Sequence, residues 1–239
     1  MLPTISIQNI SKSFGKKSIL QDIHFETEEG KIYGLIGPSG AGKTTLVKMI
    51  VGMDVPDKGS IFLLGEKMPN LPILQQVGYM AQSDALYTGL TGKENLMFFA
   101  SLYQLNKSER LRRMEYAADL VNLTPDLNKK VSAYSGGMKR RLSLAIALLQ
   151  NPKVLILDEP TVGIDPELRV SIWDELLRLK NEEGKTIIVT THVMDEAEKC
   201  DYISMIRDGS FIATGTPQQL KDQYSVDSIE DAFLVAGRK

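Results

Sequence analysis

A glycine-rich segment stands between two apolar runs near the start of the chain. It consists of Gly37, Pro38, Ser39, Gly40, Ala41, Gly42, Lys43 and Thr44. The run before it, 31–36, predicts a buried strand, and the run after it, 45–50, predicts a helix. Glycines permit the positive φ angles that aim several N–H groups at one anion, and a helix start adds its unpaired amides and positive dipole end. This is the P-loop pattern, which predicts that Lys43 reaches the β- and γ-phosphates of a nucleoside triphosphate and that Thr44 offers its hydroxyl to Mg²⁺.

Acidic residues follow an apolar run in the second half of the chain. The run 154–157 predicts a buried strand, and Asp158 and Glu159 come directly after it. Open α/β sheets bind ligands at the carboxyl ends of parallel strands, so Asp158 is expected to hold Mg²⁺ and Glu159 to point at a water molecule beyond the γ-phosphate. His192 follows the strand predicted at 186–190 and would face the same phosphates. Each motif also has a purely structural interpretation: a connecting glycine turn, helix-capping acids, or a packed histidine.

A second helix begins in a form that suits an anion. Ser135 can be its N-cap, and Gly136 and Gly137 leave the N-terminal amides uncovered. Asp165 followed by Pro166 predicts the N-cap and first residue of a further helix. Capping alone is a sufficient explanation for Asp165.

The first half of the chain contains several predicted strands. Alternating apolar residues at 5–9 and 23–27 predict two half-exposed antiparallel strands. Phe14 is expected on the loop between them, where its ring either stacks on a base or packs against the protein. Further strands are predicted at 61–64 and 77–81.

Helical signals dominate the middle of the chain. Thr91 and Glu94 form a capping box, and from 91 to 150 the pattern predicts helices without a strand. This indicates a helical lobe inserted into an α/β core. An Asp-Gly pair predicts a hairpin at 205–213, and a short amphipathic helix is predicted within 226–239.

Composition argues against several classes of protein. The chain has 239 residues, 43% hydrophobic and 24% charged, and its net charge of −2 gives no reason to expect nucleic-acid binding. Its one cysteine, Cys200, excludes an internal disulfide and a thiolate metal cage. The longest apolar runs fall short of the ~20 residues needed to cross a bilayer. Action at a membrane would therefore require another chain to cross it.

The motifs together resemble the ATP-binding cassette (ABC) family, that is, the nucleotide-binding subunit of ABC transporters. The resemblance covers nearly the whole chain and rests on Gly37–Thr44, Gln82, Ser135–Gly137, Leu157–Thr161 and His192. It implies an α/β fold: a P-loop NTPase (RecA-like) core with an antiparallel β subdomain and an inserted α-helical subdomain. The expected organisation is a single ABC ATPase domain with a core of 1–87 and 151–225, a helical subdomain at 88–150 and a C-terminal helix at 226–239.

The resemblance also implies ATP and Mg²⁺ as cofactors and a role for each motif residue. The residues implied to act in catalysis are Glu159, His192, Lys43 and Gln82. Those implied to hold Mg²⁺ are Thr44, Gln82 and Asp158. The residues implied to bind ATP are Phe14, Gly37, Pro38, Ser39, Gly40, Ala41, Gly42, Lys43, Thr44, Thr45, Ser135, Gly136, Gly137 and Asp165. In a head-to-tail homodimer, Ser135–Gly137 of one copy would close over the γ-phosphate in the other. Phe14 would stack on adenine, and Asp165 would communicate across the dimer.

The same resemblance implies transport, with export as its direction. Tyr134 and Met138 stand where family members often have Leu and Gln, and Met138 lacks the amide hydrogen bonds of Gln. The run 134–141 looks like the branch that exports drugs, antibiotics, lipids or polysaccharides. The family implies an integral-membrane permease as partner, no nucleic-acid partner, and a cytoplasmic location, peripheral on the inner face of the cell membrane.

Other functions use part of the same motif set. A non-transport ABC ATPase that acts on nucleic acid or the ribosome generally carries two cassettes, a long coiled coil or a zinc insertion, and none of these is visible in the sequence. A small-molecule kinase with a P-loop leaves Ser135–Gly137 and His192 unexplained. A module that binds ATP without hydrolysing it has no use for an intact Glu159.

Overall fold

The computed structural model describes residues 3–83, 85–103 and 105–238. The chain forms two compact units, one of Met1–Leu74 with Thr186–Lys239 and one of Gln75–Lys185. Both units combine strands with helices, and the first contains an antiparallel sheet, which confirms the predicted fold class. The predicted division into core, helical subdomain and C-terminal helix stays a prediction.

Strands and helices are labelled in the order of the chain. The strands are β1 (Ile5–Phe14), β2 (Lys17–Thr27), β3 (Ile32–Ile36), β4 (Lys58–Leu63), β5 (Glu66–Lys67), β6 (Val77–Met80), β7 (Val154–Asp158), β8 (Thr186–Thr191), β9 (Tyr202–Arg207) and β10 (Ser210–Gly215). The helices are α1 (Lys43–Ile50), α2 (Gly92–Ser101), α3 (Lys107–Leu120), α4 (Gly136–Leu148), α5 (Pro166–Glu183), α6 (Met194–Ala197), α7 (Pro217–Tyr224) and α8 (Ile229–Ala236).

The antiparallel sheet of the first unit has the order β2-β1-β4-β5. Ile5 pairs with Thr27, so the two predicted antiparallel strands are confirmed. Both run further than predicted, because irregularities with φ of 50° at Asn9 and 50° at Asp22 interrupt the apolar alternation while the pairing continues. Phe14 is therefore the last residue of β1, and the prediction that it lies on a loop was wrong.

Parallel strands carry the P-loop. In the first unit the strand order is β10-β9-β3-β8, in which β3 is parallel to both β8 and β9, while β10 is antiparallel to β9. All five residues of β3 are buried, which explains the continuous apolar run before the P-loop. β9 and β10 form the predicted hairpin, and Asp208 and Gly209 have φ of 49° and 79°, as a primed hairpin turn requires.

In the second unit, β6 and β7 are parallel, with Met80 opposite Leu157. Helix α4 packs against both strands, and α3 packs against α4 and α5. Between 91 and 150 the described residues form helices, turns and an isolated bridge from Thr91 to Lys130, so the prediction of helices without a strand is confirmed for that part of the chain. The unit thus joins two buried parallel strands to a group of helices.

Helix α2 begins with the predicted capping box. Thr91 Oγ1 accepts a hydrogen bond from the Glu94 N–H at 3.1 Å, and the Glu94 carboxylate accepts one from the Thr91 N–H at 2.7 Å. The bonds from the N–H and then the hydroxyl of Thr91 hold the pKa of the Glu94 carboxyl below its ordinary value. Because the folded-state pKa is lowered, this stabilisation is present above the ordinary carboxyl pKa and is lost as the pH falls through the lowered one.

Thr91→Ala is expected to lower the free energy of unfolding by about 1 kcal/mol, because an N-terminal amide of α2 loses its acceptor. Thr91→Ser keeps an acceptor oxygen and serves as the matched control. Chemical denaturation measures both variants. Equal stability of the two variants would contradict the capping role.

Candidate functional site

The P-loop joins the end of β3 to the start of α1. Gly40 and Gly42 have φ of 81° and 109°, a region that residues with side chains rarely adopt. A Cβ at Gly37 would lie 2.2 Å from the Ile206 carbonyl oxygen, and a Cβ at Gly42 would lie 2.6 Å from the Leu20 side chain. Gly42 is also the N-cap of α1 and has no side chain to accept hydrogen bonds from the first turn. The loop therefore presents a helix start with the geometry that binds phosphate.

Lys43 lies inside the curve of this loop. Its Nζ donates hydrogen bonds to the carbonyl oxygens of Gly37, at 2.6 Å, and Pro38, at 3.1 Å. The residue is only 6% exposed, while Pro38, Ser39 and Gly40 form the exposed outer side of the loop. Thr44 and Thr45 follow in the first turn of α1 and are half-buried. The positive charge is thus held at the place where the motif predicts phosphate.

His192 follows β8 at the same edge of the strands as the P-loop. Ile36, the last residue of β3, pairs with Thr191, the last residue of β8. Gly37 and His192 are therefore the next residues on two neighbouring parallel strands. His192 is exposed, while the Thr191 hydroxyl is buried and donates to Glu196 at 2.8 Å. The fold therefore places His192 beside the start of the P-loop, and its role toward phosphate stays a prediction.

Phe14 stands at the exposed end of β1. Its side chain is 54% exposed, and Lys12 Nζ lies 5.2 Å from its ring centroid. Lys12 itself is held by Asp54 at 2.7 Å. An aromatic ring this exposed is accessible for stacking on a base, but nothing in the contacts of Phe14 selects that role over simple exposure.

The acidic residues lie where β7 ends. Asp158 is fully buried and Glu159 is 9% exposed. Gln82 Nε2 donates a hydrogen bond to Glu159 Oε2 at 3.3 Å, so two residues 77 positions apart in the sequence are in contact. The parallel pairing of β6 with β7 explains the contact, because Gln82 and Glu159 each stand two residues beyond the paired Met80 and Leu157.

Glu159 has an unusual backbone. Its φ is 53°, in the left-handed region that non-glycine residues occupy at a cost on the order of 1–3 kcal/mol. Nearby, burial and then the Asp158 charge raise the pKa of the Tyr79 hydroxyl to about 12. Strained backbone and buried acid occur together here, as they often do at functional sites.

Helix α4 begins at the Ser-Gly-Gly motif. Ser135 is its N-cap, as predicted, and Ser135 Oγ accepts from the Met138 N–H at 3.2 Å. Gly136 is exposed, and a Cβ at Gly137 would lie 3.0 Å from the Gly163 carbonyl oxygen. At Gly136 nothing lies within 4 Å of the position a Cβ would take, so a phosphate could approach the start of α4 there without meeting a side chain.

Asp165 is the predicted N-cap of α5, with Pro166 as the first helical residue. Its side chain is exposed and makes no capping hydrogen bond. Capping geometry therefore explains the position of Asp165 in the sequence but not the use of its carboxylate.

Arg140 is a site residue that the sequence analysis missed. It is 7% exposed, and its guanidinium donates to the backbone carbonyl oxygens of Ala81, Gln82, Asp158 and Glu159. Lys139, Arg140 and Arg141 are consecutive basic residues, and their order in the sequence gives no sign of which one is buried.

The chain offers oxygen donors rather than a metal cage. Among the described residues, no group of three or more His, Cys, Asp and Glu is placed to hold a metal ion. Mg²⁺ in phosphate sites typically takes one or two carboxylates together with phosphate oxygens and water. The buried Asp158 carboxylate and the Thr44 hydroxyl both offer oxygen, the type of ligand that such a site uses.

None of the helices among the described residues has the length and apolar character that a membrane span needs.

The P-loop between β3 and α1 and the acidic end of β7 define a P-loop nucleoside triphosphatase. The family model described as ABC transporter matches residues 20–162. The chain belongs to this family, and it is an ATP-binding ABC ATPase.

Several named proteins are similar to this one over nearly the whole chain. The linearmycin resistance ATP-binding protein LnrL of Bacillus subtilis is 40% identical, over 98% of this chain and 78% of that protein. The Nod factor export ATP-binding protein I of Burkholderia lata is 41% identical, over 95% of this chain and 75% of that protein. ABC transporter G family member 23 of Dictyostelium discoideum is 39% identical, and the chain spans 33% of its length.

Solved structures of ABC proteins share the fold. The structure of an ATP-binding subunit of an ABC transporter has a TM-score of 0.90 and 28% identity, over 98% of this chain and 99% of that chain. The cassette MJ0796, solved as a dimer in a post-hydrolysis state with ADP and phosphate, has a TM-score of 0.83 and 26% identity, over 89% and 98%. CbiO1 from Clostridium perfringens, part of the ABC transporter complex CbiONQ, has a TM-score of 0.80 and 25% identity, over 93% and 92%.

Proposed function

We propose that this chain is the ATP-hydrolysing subunit of an exporter, in which ATP-driven closure of its dimer drives export of a substrate through a separate membrane permease. The hydrogen bond between Gln82 and Glu159 carries the proposal, because it joins the carboxylate that would polarise water to the loop that would contact the permease. The names of the similar resistance and export proteins, together with the run 134–141, support export as the direction.

Hydrolysis proceeds by in-line attack of water on the γ-phosphate. Glu159 polarises the water, and its burial at the end of β7 limits competition from bulk solvent for the carboxylate. Lys43 and the amides at the start of α1 stabilise the charge that develops on the phosphate oxygens, and His192 orients the γ-phosphate. Phe14 stacks on the adenine ring.

Magnesium supplies charge neutralisation at the phosphates when it is bound. Thr44, Gln82 and Asp158 would hold the ion, an assignment that rests on the motifs for Thr44 and Asp158 and on the family resemblance for Gln82. All three offer oxygen ligands, the type that Mg²⁺ prefers. The burial of Asp158 at the end of β7 supports it further, because a buried carboxylate is stabilised by a cation.

Two copies of the chain complete each other's ATP site. Each chain has two glycine-rich helix starts, at α1 and at α4, and each would supply one half of a phosphate cage. Ser135, Gly136 and Gly137 of one copy would contact the γ-phosphate held by the P-loop of the other, and the exposed Asp165 would relay the state of one site to its neighbour. The similar cassette MJ0796 was solved as a dimer, which supports the pairing of two copies.

An exposed aromatic patch supports a membrane partner. Tyr87, Phe98 and Leu102 are 50%, 39% and 56% exposed, and the rings of Tyr87 and Phe98 lie 4.8 Å apart between centroids. Clusters of exposed apolar side chains mark interaction sites, and this one lies in the same unit as Gln82. The chain would then act in the cytoplasm, peripheral on the inner face of the cell membrane, held there by the permease.

Copurification tests the partner directly. Tagged protein solubilised with detergent from its native membranes is expected to bring down an integral membrane chain, identified by mass spectrometry. Phe98→Ser should reduce the recovery of that chain about tenfold or more, because buried aromatic anchors dominate interface energies. Leu234→Ser, at the 46% exposed Leu234 of α8, is the control and should leave recovery unchanged. If the unaltered protein brings down no membrane chain, the transport proposal fails.

A further inference from the structure

Arg140 connects two backbone segments that carry proposed catalytic residues. It lies in the second turn of α4 and is 7% exposed. Its Nη1 donates to the carbonyl oxygens of Ala81 and Gln82, each at 2.8 Å. Its Nη2 donates to the carbonyl oxygens of Asp158 and Glu159. One buried guanidinium therefore holds the segment after β6 and the segment after β7 at the same time.

The contacts of Arg140 are made with the backbone around Glu159, which has a strained conformation. Glu159 has its left-handed φ of 53° directly at the point where Nη2 binds the carbonyl oxygens of Asp158 and Glu159. The Glu159 side chain meets Gln82 at 3.3 Å, and Gln82 is bound through its carbonyl oxygen by Nη1. Both partners of the Gln82–Glu159 hydrogen bond are thus fixed by one side chain.

We propose that Arg140 is a positioning residue for ATP hydrolysis, which holds the backbone at Gln82 and Glu159 so that the Glu159 carboxylate meets the attacking water. The inference rests on the proposed role of Glu159. It adds that α4, whose first residues form the Ser-Gly-Gly motif, is tied by its second turn to the catalytic carboxylate of the same chain. Arg140 acts through the backbone and does not contact the reacting atoms.

The geometry requires arginine. Its planar fork carries separate nitrogens that point in fixed directions, so Nη1 and Nη2 each serve a different segment. Lysine has one nitrogen at the end of a flexible stem and cannot hold both segments in that arrangement. Arg140→Lys keeps the charge and removes the fork, which makes it the informative substitution. Arg140→Gln removes the charge as well.

Arg141 offers a matched control on the same helix. It is half-buried and also donates to two backbone carbonyl oxygens, those of Val121 at 3.3 Å and Asn122 at 2.9 Å. These carbonyls lie beyond α3 and outside the segments at Gln82 and Glu159. Arg141→Lys therefore repeats the chemical change of Arg140→Lys without touching the proposed catalytic backbone.

The first test is steady-state ATP hydrolysis by the purified chain. Arg140→Lys is expected to lower kcat by about 10–100-fold while KM for ATP changes less than about threefold, because misplacing a catalytic group by an ångström costs up to that factor without weakening substrate binding. Arg141→Lys should keep kcat within about twofold of the original. Thermal unfolding of each variant shows that it is folded. Unchanged kcat in Arg140→Lys, or an equal loss in Arg141→Lys, would overturn the inference.

A double-variant experiment separates positioning from general damage. In single-turnover assays, Glu159→Gln combined with Arg140→Lys should hydrolyse ATP within about threefold of Glu159→Gln alone, because Arg140 has no carboxylate left to position. If the two losses multiply, Arg140 does not act through Glu159. If Glu159→Gln alone retains full turnover, the proposed role of Glu159 fails. If Glu159→Gln loses turnover and Arg140→Lys does not, only the inference about Arg140 fails. Should Arg140→Gln fail to fold, the charge-conserving Arg140→Lys still gives the decisive comparison.

Discussion

ATP turnover by Glu159→Gln is expected to fall by about 10²–10³-fold, the loss typical when one well-placed electrostatic group is removed from a transition state. The amide keeps the size of the side chain and a hydrogen-bond partner for Gln82, so the site should keep its shape. The neutral amide cannot polarise water as the Glu159 carboxylate does. Phosphate release measures turnover, and equilibrium dialysis with labelled ATP should show that binding is retained.

The same variant also reports on the dimer. With hydrolysis blocked, ATP should hold two copies together, so light scattering should find a dimer with ATP and a smaller species without it. Glu230→Gln, on the exposed side of α8, is the control and should keep full turnover. Full turnover in Glu159→Gln would contradict the catalytic role. A strictly monomeric Glu159→Gln at high protein and ATP concentrations would contradict the composite site.

Lys43→Ala is expected to weaken ATP binding by about 10–100-fold, the factor that corresponds to ~1.5–3 kcal/mol for hydrogen bonds to a charged group. The Lys43 ammonium already lies within the P-loop, where it bonds to the carbonyl oxygens of Gly37 and Pro38. The Lys43 ammonium is therefore already in place for a triphosphate, and its side chain would lose little conformational entropy when ATP binds. Titration calorimetry with ATP measures the change.

Lys48→Ala controls for charge on the same helix. Lys48 lies in the last turn of α1 and is exposed, so its removal changes the net charge equally without altering the loop. It should bind ATP as the original chain does. Because Lys43 is buried, thermal unfolding without nucleotide must accompany the titration, so that lost affinity is not confused with lost structure. Unchanged ATP affinity in folded Lys43→Ala would refute the assignment.

Motifs that depend on residue type and on near neighbours in the sequence were predictable from the sequence. The P-loop, the capping box at Thr91, the hairpin turn at Asp208 and the N-caps at Ser135 and Asp165 all appear where predicted. At the two caps that make side-chain hydrogen bonds, Thr91 and Ser135, the decisive interaction joins residues three positions apart, such as the Thr91–Glu94 pair. Spacing in the sequence is then nearly the same information as distance in space.

Some local features were missed although a signal existed. Helix α7 starts with a capping box in which the Thr216 N–H donates to Gln219 and the Gln219 N–H donates to Thr216, with Pro217 in the first turn. The order Thr-Pro-x-Gln is a helix-start signal that the sequence analysis overlooked. The lengths of β1 and β2 were underestimated for another reason, since irregular pairing hides the alternation that predicts a strand.

By itself, the sequence determined the family, the residues of the P-loop, the acidic end of β7 and the helix starts, because these depend on residue type and near-neighbour spacing. Only the tertiary structure decided that Gln82 meets Glu159, that Glu159 adopts a left-handed backbone, and that Arg140 rather than Arg141 supports it. Backbone carbonyl oxygens are the same in every residue. A hydrogen bond from one side chain to carbonyls 58 or 19 positions away therefore leaves no pattern in a single sequence.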